Sequence, residues 1–249
     1  MSLILVDPSA ASFTLPDNFT IKGMSFKKRQ RVVNIAYKDG GRQVGDAMID
    51  TRLVEIEGIL YGVDEATYLT NKNLLFKWIT KTDLKLYFIA GRYINVKQIS
   101  NVAHNFAEGG FDRFARIKLT CLCEDPFFYY DAGSTDIQNP VASPTFFTIN
   151  NAGDFIVFPV ITITNAAANV SFTLKNTTDD NRYFTFADVL SAPGDVIVID
   201  CAAGTVQKNG INRIDLLEGD FLRLLSGNND FEYTGAACQI NTAWTVREL

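Results

Sequence analysis

The sequence is poor in the residues that carry most enzyme chemistry. Among 249 residues there is one histidine, His104, and of the four cysteines only Cys121 and Cys123 are closely spaced. A general base is most often a histidine, and zinc sites need further closely spaced Cys or His ligands. The sequence predicts His104 at a hairpin tip, as a polar loop residue. We therefore expect no catalytic residue, no metal site and no cofactor, and we expect the thiols to be buried and unpaired.

Long apolar runs are also missing. No stretch reaches the roughly 20 apolar residues needed to cross a bilayer, and Met1–Pro8 lacks the basic start of a secretion signal. The chain has 7 prolines, 20% charged residues and 47% hydrophobic residues, a composition that excludes the disordered, collagenous and coiled-coil classes. These features predict a globular protein that folds in the cytosol and does not insert into a membrane.

An excess of positive charge is missing as well. Residues 1–142 hold 17 Lys and Arg against 16 Asp and Glu, whereas residues 143–249 hold 6 against 12. An acidic surface repels the phosphate backbone, and a nearly neutral one does not attract it strongly. The charge distribution therefore argues against sequence-specific nucleic-acid binding.

The first half of the chain predicts several strands and one helix. Phe26–Tyr37 reads as a strand, Lys38–Arg42 supplies a turn with two glycines, and Thr51–Tyr61 alternates apolar and polar residues. Asp64 is a candidate N-cap for a helix that extends to Lys81. The predicted apolar stripe of this helix is Leu69, Phe76 and Ile79.

The second half predicts an antiparallel β-sandwich. Asp131–Ser143 contains Gly, Ser, Asn and two prolines without apolar periodicity, and we predict it to be a linker. Short apolar strands then recur up to Val246 at the spacing typical of sandwiches. The predicted fold class is mainly β, a β-rich α+β chain. Its predicted domains are 1–142, a sandwich or split-barrel-like domain with one helix, and 143–249, an antiparallel sandwich.

Three groups of acidic residues are candidate sites. Glu55 and Glu57 alternate with apolar residues, as solvent-facing strand positions do, and Glu124 and Asp125 precede a proline at a domain edge. Neither pair by itself gives the facing carboxylates of a glycosidase. Asp179–Asn181 resembles an oxygen cluster for calcium, but it lacks the spaced ligand pattern, so the sequence favours a turn.

Two further surfaces are candidates for binding. Lys27, Arg29 and Arg31 share one face of the first predicted strand, where they either protect an edge strand from aggregation or make a salt-sensitive contact between subunits. Tyr183 and Trp244 either belong to the core or form a face that stacks on a sugar or a partner protein.

The order of these segments resembles the distal tail protein (Dit) family of long-tailed, siphovirus-like bacteriophages. The matching segments include Lys38–Gly41, Asp50–Gly58, Pro159–Ile163, Asn176–Thr178 and Leu224–Asn228. Each segment is a weak signal alone, and the resemblance rests on their shared order along most of the chain.

The resemblance implies a structural protein and no enzyme. It implies a hexameric hub ring, formed by residues 1–142, that joins the tail tube to the host-adsorption tip and lets the genome pass, with residues 143–249 as an outward galectin-like sandwich. The implied partners are copies of the chain, the tail tube protein, the tape-measure protein and the tail-tip or receptor-binding proteins, in a virion tail assembled in the host cytoplasm. An alternative function is carbohydrate binding by the C-terminal sandwich, with a host glycan as ligand. The resemblance implies that the hairpin residues Lys38, Asp39, Gly40, Gly41 and Arg42 contact a neighbouring subunit. Together with the basic strand residues Lys27, Arg29 and Arg31, they are the candidate ring interface.

Overall fold

The computed structural model divides the chain into two compact units, Met1–Phe128 and Tyr129–Leu249, called here the N-terminal and C-terminal units. The structure describes residues 2–28, 31–34, 41–44, 49–106, 113–141, 143–168, 171–188 and 191–249, and within 26–50 and 101–106 it describes the backbone alone.

The N-terminal unit contains ten strands and one α-helix among its described residues. The strands β2-β1-β7-β8 lie side by side, β3-β6-β10-β9 form a second sheet, and β4-β5 form a separate two-stranded ladder. The elements are β1 (Ile4–Val6), β2 (Ser12–Thr14), β3 (Thr20–Lys28), β4 (Arg31–Asn34), β5 (Gly41–Val44), β6 (Ile49–Tyr61), α1 (Glu65–Ile79), β7 (Leu84–Ile89), β8 (Arg92–Val96), β9 (Gln98–Phe106) and β10 (Phe114–Cys123).

Strict alternation in β6 and β10 builds the core of this unit. Val54 and Ile56 in β6 are buried, as are Ile117 and Leu119 in β10, while the residues between them are more exposed. Because side chains in a strand point alternately to opposite faces, each strand gives one face to the core. Gly58 lies on this buried face, where a Cβ atom would come within 2.4 Å of the Phe19 ring, so the close packing there requires glycine.

Helix α1 begins where the sequence predicts. The Asp64 side chain accepts a hydrogen bond from the Thr67 amide at 2.7 Å, which satisfies a free donor in the first turn. The predicted apolar stripe is partly wrong. Ile79 is buried, but Leu69 is exposed and Tyr68 is buried instead, a rotation of about 100° between adjacent positions. In the described residues, no helix has the length and apolar character to cross a bilayer.

The C-terminal unit is built from two larger antiparallel sheets. Their strand orders are β12-β22-β14-β17-β18-β19 and β13-β21-β15-β16-β20. The remaining strands of the chain are β11 (Phe128–Tyr130), β12 (Ser134–Gln138), β13 (Thr145–Asn151), β14 (Val160–Asn165), β15 (Ser171–Asn176), β16 (Arg182–Ala187), β17 (Val196–Asp200), β18 (Thr205–Lys208), β19 (Ile211–Asn212), β20 (Leu217–Gly219), β21 (Gly227–Thr234), β22 (Cys238–Trp244) and β23 (Arg247–Glu248).

Aromatic rings fill the core between these two sheets. The Phe172 ring stacks on the Phe186 ring at a centroid distance of 5.5 Å and lies 6.2 Å from the Tyr233 ring. The Tyr233 hydroxyl donates a hydrogen bond to the Ala236 carbonyl at 2.7 Å, so the buried phenol keeps a partner. The predicted mainly β class is thus confirmed.

The predicted linker is wrong for residues Ser134–Gln138. These residues form β12, which pairs with β22 from Ser134 opposite Trp244 to Gln138 opposite Ile240. The segment shows little apolar periodicity because one strand at the edge of a sheet needs few buried side chains. The division between the units accordingly lies after Phe128, earlier than the predicted boundary at residue 142.

Candidate functional site

The two-stranded ladder β4-β5 contains part of the predicted ring interface. Arg31 lies opposite Val44, and Gly41 and Arg42 lie opposite Asn34 and Val33. The hairpin pairing that the two-glycine turn predicts is therefore present. Within the predicted first strand, the described residues up to Lys28 belong to β3, which pairs with β6, and Arg31–Asn34 form β4, which pairs with β5. Lys27 lies in β3. Four predicted interface residues lie outside the described residues: Arg29, Lys38, Asp39 and Gly40.

Strand β3 forms an edge of its sheet. In the described residues its sheet neighbour is β6, with Thr20 opposite Glu57 and Phe26 opposite Arg52. An edge strand presents backbone donors and acceptors that can pair with another chain. The edge of β3 is therefore a surface on which a second subunit could add a strand.

The outer face of β6 and β10 carries a group of exposed apolar residues, called here the Tyr61 patch. Tyr61 and Phe114 lie directly opposite each other, and Ile59 lies opposite Arg116. Tyr61 is 59% exposed, and Ile59, Val63 and Phe114 are also exposed. Exposed apolar residues that cluster in this way, rather than occurring singly, are typical of protein contact surfaces.

The carboxylates of Glu55 and Glu57 lie farther along the same face and share one lysine. The Lys118 Nζ atom is 3.0 Å from Glu55 Oε2 and 3.6 Å from Glu57 Oε1. The hydrogen bond with Glu55 is the main cause of a raised Lys118 pKa. The prediction that these acids are solvent-facing strand residues is confirmed by their placement on the outer face.

His104 does not lie at a hairpin tip, contrary to the prediction. It lies within β9, where it is paired with Ile117 of β10. Strand β9 continues to Phe106, beyond the point where Asn105 suggested a turn. No group of three or more His, Cys, Asp or Glu side chains in the described part of the chain could hold a metal ion.

All four cysteines are buried and unpaired. Burial raises the pKa of Cys121 and of Cys123 to about 12. Because the thiolate is the nucleophilic form, these thiols are unreactive at neutral pH. They belong to the core of the N-terminal unit, as the strand alternation predicts.

The acidic segment Asp179–Asn181 is a turn, as predicted. Asp180 and Asn181 have φ values of 51° and 58°, the left-handed conformation that Asp and Asn tolerate in turns. The Asp179 carboxylate accepts two hydrogen bonds from Arg223, each at 2.9 Å, and lies 3.1 Å from Arg182 Nε. The Arg223 hydrogen bonds are the main cause of a lowered Asp179 pKa. Guanidinium groups therefore occupy the oxygens that calcium would need.

A second lysine cluster in the C-terminal unit was not predicted from the sequence. Lys208 Nζ lies 2.6 Å from Asp188 Oδ2 and 2.9 Å from Asp195 Oδ2, and all three side chains are largely buried. A hydrogen bond from the Ala192 amide is the main cause of a lowered Asp195 pKa, followed by hydrogen bonds from Asn209 and Lys208. The cluster joins the ends of β16 and β17 to β18. Sequence spacing gives no signal for it, because the partners come from different strands.

Tyr183 and Trp244 do not form a common face. Tyr183 lies in β16 and is 47% exposed, whereas Trp244 lies in β22 of the other sheet, is 7% exposed and packs into the core. The candidate role of Trp244 in ligand binding is therefore contradicted by its burial. Tyr183 has the exposure that stacking on a ligand requires.

Comparisons with known proteins agree with this architecture. Residues 152–247 match the family model described as the siphovirus-type tail component, C-terminal domain. The chain is similar in structure to SPP1 Dit, described as a paradigm of hub adsorption apparatus in Gram-positive infecting phages, with a TM-score of 0.75, 16% identity and coverage of 99% of both chains. It also aligns with a chain of the phage P2 baseplate in its activated conformation, with a TM-score of 0.44, 7% identity and 97% coverage of both chains. No curated protein sequence matches the chain. The family model and the shared fold confirm the resemblance predicted from the sequence.

Proposed function

We propose that this chain is a phage distal tail protein that forms a hexameric hub ring, because residues 152–247 match the siphovirus-type tail component family model and the whole chain has the fold of SPP1 Dit. The ring joins the tail tube to the host-adsorption tip, and its bore lets the genome pass. The observation that carries the proposal is the family match in residues 152–247, which lies within a fold similarity extending over both units.

The surfaces of the N-terminal unit support self-assembly. A closed ring with head-to-tail contacts needs two different complementary surfaces on each subunit. The β4-β5 hairpin is one candidate, and the Tyr61 patch together with the edge of β3 is the other. We assign the hairpin, with Arg31 and Arg42, as the arm that contacts a neighbouring subunit.

The remaining partners follow from the position of a hub in a tail. The ring contacts the tail tube and tape-measure proteins on one side and the tail-tip or receptor-binding proteins on the other. Its location is the virion tail, after assembly in the host cytoplasm. The role is structural, which fits the use of Glu55, Glu57 and Asp179 as partners of basic side chains.

The experiment that tests this function measures the mass of the purified chain in solution. Native mass spectrometry should show a particle with six times the mass of the 27.7 kDa chain, and electron microscopy should show rings with six-fold symmetry. A hairpin contact made by arginines should weaken at 1 M salt, where the screening length falls to about 3 Å.

A charge placed in the Tyr61 patch should dissociate the ring. Phe114→Asp inserts a carboxylate between exposed apolar residues, and Ile89→Asp is the matched control because Ile89 is similarly exposed on another strand of the same unit. A chain that stays monomeric at every concentration, and that also fails to bind purified tail tube and tip proteins, would contradict the proposal.

A further inference from the structure

The five-stranded sheet of the C-terminal unit has an open outer face with an aromatic ring at each end of one cross-strand row. Phe146 of β13 lies opposite Glu232 of β21, which lies opposite Lys175 of β15. Lys175 in turn lies opposite Tyr183 of β16. Phe146 is 68% exposed, the most exposed aromatic side chain among the described residues, and Glu232 and Lys175 form an ion pair between the rings.

The spacing of the two rings follows from the geometry of the sheet. Adjacent strands lie about 4.8 Å apart, so three strand intervals separate the rings by roughly 14 Å. Both rings stand on the same face, because residues paired across strands project to the same side. The row is thus a strip with an aromatic ring at each end.

Hydroxyl groups lie on both sides of this strip, and a carboxylate lies on one side. On one side Thr173 and Thr185 place their Oγ1 atoms 2.8 Å apart, and Thr234 lies opposite Thr173. On the other side the Thr148 hydroxyl donates to Asp230 Oδ1 at 2.6 Å. Each hydroxyl can both donate and accept, so these rows keep hydrogen-bonding capacity for a ligand.

Two separated aromatic rings with polar groups between and beside them fit a sugar polymer better than a folded protein partner. A protein contact surface has a contiguous apolar centre, whereas here charged and polar side chains separate the two rings. A pyranose ring presents an apolar face and a rim of hydroxyl groups, which complements an aromatic platform beside threonines and carboxylates.

The net charge of the C-terminal unit favours a neutral polymer over an anionic one. Residues 129–249 hold 6 Lys and Arg against 14 Asp and Glu, a net charge of −8, so this unit repels a polyanion. We propose that the Phe146–Tyr183 strip binds a neutral polysaccharide built of hexose or N-acetylhexosamine units, with one sugar ring stacked on each aromatic ring. This inference goes beyond the role in assembly and does not rest on it.

The test is calorimetric titration of the purified full chain with defined oligosaccharides. The probes are maltohexaose, cellohexaose and chitohexaose, the disaccharide of each, and polyglycerol phosphate as an anionic polymer. At least one hexasaccharide should bind, its disaccharide should bind at least about tenfold more weakly because it cannot span both rings, and polyglycerol phosphate should not bind.

Substitutions of the two rings separate stacking from folding. Phe146→Ala and Tyr183→Ala should each weaken hexasaccharide binding about tenfold, the loss expected for one aromatic contact, while Phe146→Tyr and Tyr183→Phe retain it. Ile137→Ala, at a 55% exposed position on the other sheet, is the matched control and should bind normally. The melting temperature of each variant verifies that the unit is folded.

Three outcomes would overturn the inference. They are the absence of binding to every neutral hexasaccharide, binding that survives loss of both rings, and binding of polyglycerol phosphate in preference to the neutral probes. Dissociation of the assembled particle by Phe146→Ala or Tyr183→Ala would identify the strip as a protein contact and would equally overturn it. Failure of sugar binding with an intact hexamer leaves the hub function standing.

Discussion

The two units hold a lysine between two carboxylates in very different surroundings. In the N-terminal unit Lys118 contacts Glu55 and Glu57 on an outer sheet face, where each side chain is at least one third exposed. In the C-terminal unit the side chain of Lys208 is 12% exposed, and those of Asp188 and Asp195 are 5% and 16% exposed. Water screens the first cluster and is largely excluded from the second, so similar chemistry has different energetic weight.

The units differ in net charge as well. Residues 1–128 hold 17 Lys and Arg against 14 Asp and Glu, a net charge of +3, whereas the C-terminal unit carries −8. The basic N-terminal unit carries the edge of β3 and the Tyr61 patch. The acidic C-terminal unit carries the Phe146–Tyr183 strip with its rows of hydroxyl groups. The difference fits the separate tasks proposed above, self-assembly for the first unit and ligand contact for the second.

The largest expected effects test whether the two cores are separate. Phe184→Ala removes a fully buried ring from the C-terminal core and should lower that unit's free energy of unfolding by about 3–5 kcal/mol, and Leu86→Ala should cost the N-terminal unit about 2–5 kcal/mol. Scanning calorimetry should show each substitution shifting a different transition. A single transition that both substitutions shift equally would argue against separate cores.

The buried lysine cluster should give the next largest effect. Lys208→Met keeps the length of the side chain but leaves Asp188 and Asp195 without their shared cation. We expect the C-terminal unit to lose about 3 kcal/mol, within the range for breaking a buried ion pair. Urea unfolding monitored by aromatic fluorescence measures the loss, and a change below about 1 kcal/mol would mean that solvent compensates the carboxylates.

Acid should weaken a contact at the end of helix α1. The Lys81 Nζ atom lies 2.6 Å from Asp7 Oδ2, and this hydrogen bond is the main reason that the Asp7 pKa is lowered to about 2. Because the folded pKa lies below the ordinary value of 3.8, the stabilisation is complete above pH 4 and disappears as the pH falls towards 2.

Asp7→Asn should remove this part of the pH dependence. The substitution keeps a side-chain oxygen for the Ser9 and Ala11 amides, which donate to Asp7 Oδ1 at 3.0 and 2.9 Å. Urea midpoints of the N-terminal unit at pH 5 and pH 2.5 should converge in the variant relative to the unsubstituted chain. Equal pH dependence in both proteins would place the acid sensitivity elsewhere.

The smallest effect is expected for the exposed lysine cluster. Lys118→Met removes the cation near Glu55 and Glu57, but solvent screens all three groups. The urea midpoint of the N-terminal unit should remain unchanged within measurement error. A loss as large as that of Lys208→Met would break the contrast between the two clusters.

The sequence predicted correctly those elements whose structure depends on interactions between residues close together in the chain. The alternation in Thr51–Tyr61 and the N-cap Asp64 each depend on neighbouring residues, and each corresponds to an observed element. The pairing of β4 with β5 agrees with the hairpin that the two glycines predict, although the turn itself lies outside the described residues. The order of segments along the chain also pointed to the family whose model matches residues 152–247. Burial of Cys121 and Cys123 followed from their spacing of two on one strand face.

The sequence failed where distant strands decide the outcome. Ser134–Gln138 is ordered by pairing with β22, more than a hundred residues away, and the Lys208 cluster joins ends of separate strands. Trp244 and Phe146 both lie in strands of the C-terminal unit, yet Trp244 is buried and Phe146 is exposed. Which face of a strand meets a second sheet cannot be read from one strand alone, because it depends on register.

The pairing of β12 with β22 brings the beginning and the end of the C-terminal unit side by side, with Ser134 opposite Trp244. A domain whose two ends lie side by side can be inserted into a loop of another protein, because that loop need open only by the width of a strand pair. If residues 129–249 are inserted into a surface turn of an unrelated protein, both the inserted residues and the recipient protein should therefore fold.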